Sequence, residues 1–554
     1  MDLPFIGRLQ PSVSVVHISL WVLLAITLVW FFSNPFFGIL DDQDEAYMVL
    51  CCKDYQAQPL AMLTFFTGKL WMDIFGEQIL ALRMLASVCY IVAALFPVGY
   101  FYHRTGNKYW AVLLFVVVLI NQRCDYFRIY NWDTGAYPWE SIMLTLLMCY
   151  IDSPSRRKAL AVGILLAFMV MARTPVLLIG LPVCAVVLAM GARKAGFSAA
   201  EVWKNLLVAG MSFLIMVFVC VILMEGSWSG YMMAWNTDNI ISGHGTDAIG
   251  SSYLPRFLHT VNFEINTYRF WRDSIVAILV LLLLSKRSRD AVGLCLLVFL
   301  CLRRAFHHQV ALTAWAFVPM VLLFYPPVYN FVARRLGQVT EGEPESIIKI
   351  DCLKVFTVLS FAFLPAVGSD MFVMRIVFFY SIPLLMVPLY RYRNGILKWI
   401  LILMTVPALS SSIWHRYQDL RIMTPVDNLL PHHCLIVDMP QSPVYMADVA
   451  PKLKALKNEG KRIGFFGEDR YGASFMFVKE KPFKFNTFHY YSSRDAEIFL
   501  REFSRNHDVV VVREHSVPSI PYKEVRMILL EEGFEEKDKT GTPARIINGD
   551  IIPL

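Results

Sequence analysis

The composition of this 554-residue chain excludes a soluble globular protein, because 56% of its residues are hydrophobic and only 17% are charged. A soluble chain of this length would form several domains whose polar surfaces need more charge than the sequence holds. The net charge of +7 is carried by short basic segments between apolar runs, so nucleic acid is not an expected partner. The sequence therefore predicts a polytopic membrane protein.

About thirteen apolar runs between residues 17 and 413 are predicted to be transmembrane helices, although several are shorter than the roughly 20 residues that cross a bilayer. The short runs are expected to continue as helices beyond the hydrocarbon and to present polar ends to a protein-lined cavity. Basic segments fall on every second connection, which makes those connections cytoplasmic by the positive-inside rule. These segments are Arg104/Lys108, Arg156–Lys158, Arg193-Lys194, Lys286–Arg289, Arg334-Arg335 and Arg391–Lys398.

An odd number of spans and a cytoplasmic start place the C-terminus outside. The membrane domain is expected at residues 1–413, with interfacial helices in a first external loop at 38–78. Residues 414–554 are expected to form an external domain, so the predicted fold class is an all-α membrane domain followed by a small α/β domain. Its predicted elements are short strands at Leu435–Val437 and Val509–Val512, amphipathic helices at Val449–Asn458 and Arg494–Arg505, and a turn at Gly464–Gly467.

Most of the eleven cysteines lie inside apolar runs, where they are typical small core residues and not a disulfide framework. Cys51 and Cys52 are adjacent in the predicted first external loop. No paired His or Cys follows them at the spacing of metal ligands. We therefore expect neither a metal nor another cofactor.

The first external loop opens with four acidic residues within five positions, Asp41, Asp42, Asp44 and Glu45. Such a run is either a solvated loop start or a set of carboxylates that are paired or functional. Charged residues also stand at the predicted external ends of other helices. Snorkelling would explain each of these alone, but it explains Arg173 least well, because almost no loop surrounds this residue.

The order of these motifs resembles the GT-C integral-membrane glycosyltransferases, in the branch of the lipid A aminoarabinose transferase and the protein O-mannosyltransferases. The resemblance covers the membrane region and is strongest in the first two hundred residues. It rests on Asp44-Glu45, on Tyr47, on Gln58-Pro59-Leu60, on Asp133 at the start of a helix, and on Arg173-Thr174-Pro175.

The resemblance implies transfer of a sugar from a polyprenyl-phosphate donor to a lipid, protein or glycan acceptor outside the membrane, without a metal. An acceptor hydroxyl needs one carboxylate base, and we expect Asp44 in this role, with Asp133 orienting it or sharing the role. Without a protein nucleophile, the anomeric carbon is inverted. Membrane lipids are further partners, and a bacterial inner membrane, with the site on its periplasmic side, is the expected location.

The chain departs from the aminoarabinose branch at two basic positions that are associated there with the donor phosphate. Ala46 or Tyr47 stands where one of them is found, and Gln58 stands at the other. Other cations must then stabilise the departing phosphate. The expected substrate-binding residues are Asp42, Glu45, Tyr47, Gln58, Arg173, Arg304, His307, His308 and Arg375.

Two other classes of function remain open from the sequence. A transporter or lipid flippase would also place charges within a membrane cavity, although the sequence shows no repeated halves and no paired glycine-broken helices. A catalytically inactive relative that serves as a scaffold would keep the fold. The acidic cluster argues against the scaffold.

Overall fold

The structure is a computed structural model, and it describes two parts of the chain. The first consists of residues 13–33, 35, 44–53, 55–57, 59–76, 79–120, 130–224, 228, 351–364, 380–387 and 390. The second consists of short stretches near the C-terminus, namely residues 423–424, 436–437, 455–456, 458–466, 497, 501, 504–512, 522–532 and 546–548.

The first part is helical, and most of the helices before residue 224 follow one another with short connections. They are α1 (Val13–Ser33), α2 (Asp44–Lys53), α3 (Met62–Phe75), α4 (Ile79–Thr105), α5 (Lys108–Ile120), α6 (Trp132–Asp152), α7 (Arg156–Ala172), α8 (Leu177–Lys194), α9 (Ala199–Leu223) and α10 (Cys352–Ala362). Short 3-10 turns lie at Tyr55–Ala57, Pro59–Ala61 and Thr174–Val176.

Three of the helical segments in this part are long and apolar enough to cross a membrane. They are Leu80–Thr105, Thr174–Lys194 and Ala199–Leu223. Ile18–Ser33, Lys108–Leu119 and Cys352–Ala362 are shorter apolar helices. The described region is therefore mostly helical and suited to a membrane, while the total number of spans stays a prediction.

Polar residues at the helix starts explain where several of these helices begin. The side chain of Asn131 accepts a hydrogen bond from the Thr134 amide, which caps α6. Ser198 and Glu201 form a reciprocal capping box at the start of α9. These caps satisfy amide groups that have no partner inside the helix. The sequence thus sets the starts of α6 and α9 locally.

The helices pack as a bundle around α6, which contacts α4, α7, α8 and α10. Two helices approach one another closely at Gly163 of α7. A Cβ atom at this position would lie 2.0 Å from Ser212 Oγ and 2.1 Å from the Ala209 carbonyl oxygen of α9. Small residues at such crossings let two backbones approach closely in a membrane bundle.

A polar cluster ties together one end of the bundle, around Asp152 at the end of α6. The hydroxyl of Tyr100 donates to Asp152 Oδ2 at 2.7 Å, and Lys354 of α10 pairs with Asp152 Oδ1. Arg104, from the end of α4, lies 3.7 Å from the same carboxylate. Arg104 and Lys354 belong to distant parts of the sequence. Their shared contact with Asp152 therefore holds the start of α10 against the ends of α4 and α6.

The basic connections described here share that end of the bundle. Lys194 at the end of α8 pairs with Asp351 at 2.6 Å, three residues before the Lys354 that joins the Asp152 cluster. With 21 residues, α6 is roughly 30 Å long, so Asp133 at its start lies at the opposite end. This arrangement agrees with the predicted alternation of connections, while the side of the membrane stays a prediction.

Two expectations within the membrane region can be compared with the structure. Cys51 and Cys52 are buried residues of α2, inside the segment that was expected to carry helices. The apolar run from Pro138 onward continues toward the N-terminus as helix, and α6 starts at Trp132, in agreement with the helix start expected at Asp133. The additional residues include Asp133, whose buried surroundings allow a polar turn of helix that apolarity alone does not reveal.

The C-terminal stretches contain a parallel three-stranded sheet of β3 (Ile463–Phe466), β4 (Val509–Val512) and β5 (Ile546–Asn548), ordered β3-β4-β5. Two shorter strands, β1 (Met423–Thr424) and β2 (Ile436–Val437), pair antiparallel, and α11 spans Tyr522–Glu531. The turn expected at Gly464–Gly467 is wrong for residues 464–466, because they pair with β4. The complete α/β domain stays a prediction.

We expect Gly163→Ala to lower the free energy of unfolding by about 1–3 kcal/mol, because the added methyl group overlaps a backbone carbonyl that cannot move aside. Gly210→Ala on α9 is the matched control, since a Cβ atom at Gly210 meets no atom within 4 Å. Thermal unfolding of both variants in detergent, followed by size-exclusion chromatography, measures the difference. Equal midpoints for the two variants would contradict the tight crossing of α7 and α9.

Candidate active site

A buried ion pair joins the start of α6 to the end of α7. Arg173 Nε lies 2.7 Å from Asp133 Oδ1, and the two side chains are only 5% and 3% exposed. Buried charges are costly unless they are paired, so these two residues stabilise one another in this position. The two helices are thereby brought together at the end opposite the basic connections.

The orientation of Arg173 is set by the break between α7 and α8. Its backbone is extended and ends α7, its amide donates to the Met169 carbonyl, and the 3-10 turn Thr174–Val176 follows directly. Its Nη1 group donates to the Leu364 carbonyl at 2.8 Å. Within the described residues, Nη2 has no hydrogen-bond partner. The guanidinium is therefore held on two sides and leaves one amino group for a ligand.

Thr64 of α3 connects the first loop segment to both ends of this ion pair. Its hydroxyl donates to the Ala172 carbonyl at 3.0 Å, and its own carbonyl accepts from the Tyr130 hydroxyl at 2.7 Å. A Cβ atom at Gly135 would lie 2.4–2.9 Å from the Thr64 side chain. Glycine at position 135 is thus needed for α3 to lie against the start of α6.

The predicted base, Asp44, is the first residue of α2, and the structure describes its backbone only. Cys52 at the other end of α2 lies against Gly68 of α3, and the Tyr130 ring borders the same glycine. Because Tyr130 is three residues before Asp133, α2 and α3 lie next to the N-terminal end of α6.

A second buried carboxylate, Glu140, belongs to the same region and was missed by the sequence analysis. Glu140 is 0% exposed, and its Oε2 lies 3.0 Å from the hydroxyl oxygen of Tyr380. That hydroxyl also lies 3.1 Å from the Phe361 carbonyl. Arg173 acts electrostatically on Glu140. The missed signal was a carboxylate inside a predicted span, two helical turns after Asp133 on the same helix face.

Arg83 of α4 is a second group that the sequence analysis did not single out. It is 3% exposed, and its Nη1 donates to the Pro35 carbonyl at 3.3 Å. An arginine inside an apolar run is the signal that could have found it. Its contact links α4 to the residues that follow α1, so its visible role is in the packing of the first loop segment.

Most other predicted site residues lie outside the described part of the chain. Glu45 and Tyr47 belong to α2, and only their backbone is described. The residues outside are Asp42, Gln58, Arg304, His307, His308 and Arg375. Of the predicted set, Asp133 and Arg173 are therefore the pair that the structure brings together in atomic contact. Among the described residues, no group of His, Cys, Asp and Glu could hold a metal ion.

No protein-family model matches the sequence, and no curated protein matches it significantly. The chain is similar to the crystal structure of ArnT from Cupriavidus metallidurans bound to undecaprenyl phosphate, with 13% identity and a TM-score of 0.43. The similarity covers 92% of this chain and 88% of that chain.

Removing one partner of the Asp133–Arg173 pair should destabilise the protein by about 3–5 kcal/mol, because it leaves an unpaired buried charge. We expect Asp133→Asn and Arg173→Met to show this loss singly, and the double variant to lose less than the sum of the two. The exposed pair Lys69–Asp73 is the control, and Lys69→Met should change stability by about 0–1 kcal/mol. Additive losses at positions 133 and 173 would contradict the ion pair.

Proposed function

We propose that this protein is a membrane glycosyltransferase that moves a sugar from a polyprenyl-phosphate donor to an acceptor on the external face. The observation that carries the proposal is the buried Asp133–Arg173 pair, which lies beside α3 and at the end of α6 opposite the basic connections. A bundle that keeps such charges in apolar surroundings does so for a function or for a strict packing requirement. The acceptor is a lipid, a protein or a glycan.

Arg173 is the proposed cation for the donor phosphate. Asp133 holds its Nε and Leu364 holds its Nη1, so the guanidinium is preorganised and Nη2 can donate to a phosphate oxygen. A fixed donor that faces a developing charge stabilises the transition state without reorganisation. Arg304, His307, His308 and Arg375 are proposed as further groups on the phosphate or the acceptor.

Asp44 is the proposed general base, and no metal takes part. The proton of the acceptor hydroxyl passes to the Asp44 carboxylate while the acceptor oxygen bonds to the anomeric carbon. The bond between that carbon and the phosphate oxygen breaks, and its electron pair leaves with the polyprenyl phosphate. Since the attack comes from the face opposite the leaving group, the anomeric configuration is inverted. Asp133 orients the site, while Asp42, Glu45, Tyr47 and Gln58 are proposed to contact the substrates.

The proposed domain organisation follows from the same topology. Residues 1–413 form the transferase domain, in which residues 38–78 carry the external interfacial helices, and residues 414–554 form an external α/β domain. The location is a bacterial inner membrane, with the site on the periplasmic side. Placing α2 on that side puts Asp44 where an external acceptor can reach it.

Asp44→Asn should lower the rate of sugar transfer about 10²–10⁴-fold per folded molecule, because Asn keeps the volume of Asp but cannot take up a proton. The measurement is the formation of polyprenyl phosphate and glycosylated acceptor, followed by mass spectrometry in vesicles that contain the lipid-linked sugar donors of the host. Asp73→Asn is the matched control, since Asp73 is an exposed acid on the neighbouring α3.

The comparison with Arg173→Ala separates the base from the phosphate-binding cation. Arg173→Ala should weaken the binding of undecaprenyl phosphate as well as the rate, whereas Asp44→Asn should bind this lipid normally. Near-normal turnover in Asp44→Asn would sink the assignment of the base. Translocation of a lipid or solute by the wild type, without any transfer product, would favour the transporter instead.

The orientation can be tested by labelling single cysteines in a variant without the native thiols. A membrane-impermeant maleimide added from outside should label a cysteine at Gln441 and should miss one at Arg157, because the α6–α7 connection is basic and predicted to be cytoplasmic. Labelling after the membrane is opened shows that both positions are reactive. The reverse pattern in intact cells would place the proposed site on the cytoplasmic side and reject an external acceptor.

A further inference from the structure

The basic end of the bundle, which holds Asp152 and Lys194, carries more cations than its described acids can pair. Asp152 is paired with Lys354, and Asp351 is paired with Lys194. Four further cations are exposed, and their side chains form neither a hydrogen bond nor an ion pair with the part of the chain that the structure describes. They are Arg156, Arg157, Arg193 and Lys204. These charges are available to a ligand.

Two of these cations belong to different helices and lie close together. Both α7 and α9 begin at the basic end, and they cross where Gly163 meets the Ala209 carbonyl. Arg156 is seven residues before Gly163, and Lys204 is five residues before Ala209, which is roughly 10 Å and roughly 8 Å along the two helices. Both cations also act electrostatically on Glu201. The two helix starts therefore place Arg156 and Lys204 at a similar depth around one point.

Glu201 is the described acid near these two cations, and it is already engaged in a helix cap. Its Oε2 accepts from the amide and from the hydroxyl of Ser198, at 2.9 Å and 3.0 Å. Arg157 stands next to Arg156 and adds a further positive charge. The three cations Arg156, Arg157 and Lys204 with the one carboxylate leave a net charge of about +2 on what we call the α7–α9 corner.

An exposed apolar face of α9 starts at this corner. It begins with Trp203, next to Lys204, and continues toward the middle of the helix at a spacing of three or four residues, which keeps the side chains on one face. Its further members are Leu207, Met211 and Leu214. Ala199–Leu223 is long and apolar enough to cross a membrane, so this face suits contact with acyl chains. A tryptophan beside a lysine is typical of the level of the lipid headgroups.

We propose that the α7–α9 corner binds the headgroup of an anionic phospholipid, whose acyl chains lie along the exposed face of α9. The net positive charge favours a headgroup with net negative charge over a zwitterionic one, because the cation of a zwitterionic headgroup would be repelled. A soluble polyanion would meet the charges but would leave the apolar face unused. The predicted topology makes the leaflet the cytoplasmic one. The corner lies at the end opposite the Asp133–Arg173 pair, so the inference does not depend on the proposed transfer.

The test compares two lipids that carry the same acyl chains, phosphatidylglycerol and phosphatidylcholine. Each is titrated into the full-length protein in a neutral detergent, and native mass spectrometry gives the affinity for the first bound lipid. The wild type should bind phosphatidylglycerol at least about tenfold more tightly than phosphatidylcholine. Lys204→Gln should weaken the binding of phosphatidylglycerol about fivefold and leave that of phosphatidylcholine unchanged, and Arg156→Gln together with Lys204→Gln should remove most of the preference.

Glu201→Gln makes the opposite prediction at the same place. Glutamine at this position still completes the capping box with Ser198, but it removes the negative charge beside the two cations. The affinity for phosphatidylglycerol should therefore rise about fivefold. Lys108→Gln is the control, since Lys108 is a cation of the same end of the bundle that starts α5 and lies over the Tyr109 ring. It should change the affinity less than about twofold, and the melting temperature of each variant shows that it is folded.

Three outcomes would overturn the site. Equal affinity of the wild type for the two lipids removes the preference for an anionic headgroup. An equal loss in Lys108→Gln and Lys204→Gln shows a general attraction of the basic end to anionic lipid and no site at the corner. A weaker affinity in folded Glu201→Gln shows that the lipid does not respond to the charge of the corner. Each of these results leaves the transferase proposal standing, because that proposal is tested by the transfer product.

Discussion

The contact between Arg173 and Asp133 constrains much of the surrounding structure, because two charges can be buried only if each finds the other. To bring them together, α7 must end at Arg173 and α6 must begin before Asp133. The Leu364 carbonyl that accepts from Arg173 lies almost two hundred residues further along the chain. Any rearrangement that separates α6 from α7 would expose an unpaired charge to apolar surroundings. The ion pair therefore favours one arrangement of this end of the bundle strongly over its alternatives.

The two aspartates of α6 show how surroundings give one residue type two roles. Asp152, whose side chain is 19% exposed, accepts from Tyr100 and pairs with the cations Arg104 and Lys354. Asp133 is 3% exposed and pairs with the buried Arg173. Two partly exposed cations on one carboxylate are typical of a structural contact near a membrane surface, where water screens the charges. A single buried cation suits a binding site, because in the low-dielectric interior its field is only partly cancelled.

The sequence predicted what depends on local patterns. Alternating basic connections predicted the shared end that Arg104 and Lys194 now mark, and an arginine with almost no loop around it drew attention to Arg173. What it did not predict is non-local. The partner of Glu140 lies 240 residues away, so counting apolar residues placed Glu140 in a span without giving it a role. Carbonyl partners such as Leu364 have no side-chain signature, and only the folded structure reveals them.

The position of α3 bears on whether a base on α2 and a cation at Arg173 can act together. Catalytic groups on separate elements need a rigid connection, because small displacements reduce rates sharply. Thr64 provides one, since its hydroxyl contacts Ala172, next to Arg173, and its carbonyl contacts Tyr130, near Asp133. One turn further along the same face of α3, Gly68 lies against Cys52 of α2 at a distance that a larger residue would prevent. The first loop segment is thus linked to the ion-pair region through α3, which packs on α2 as well as on α7.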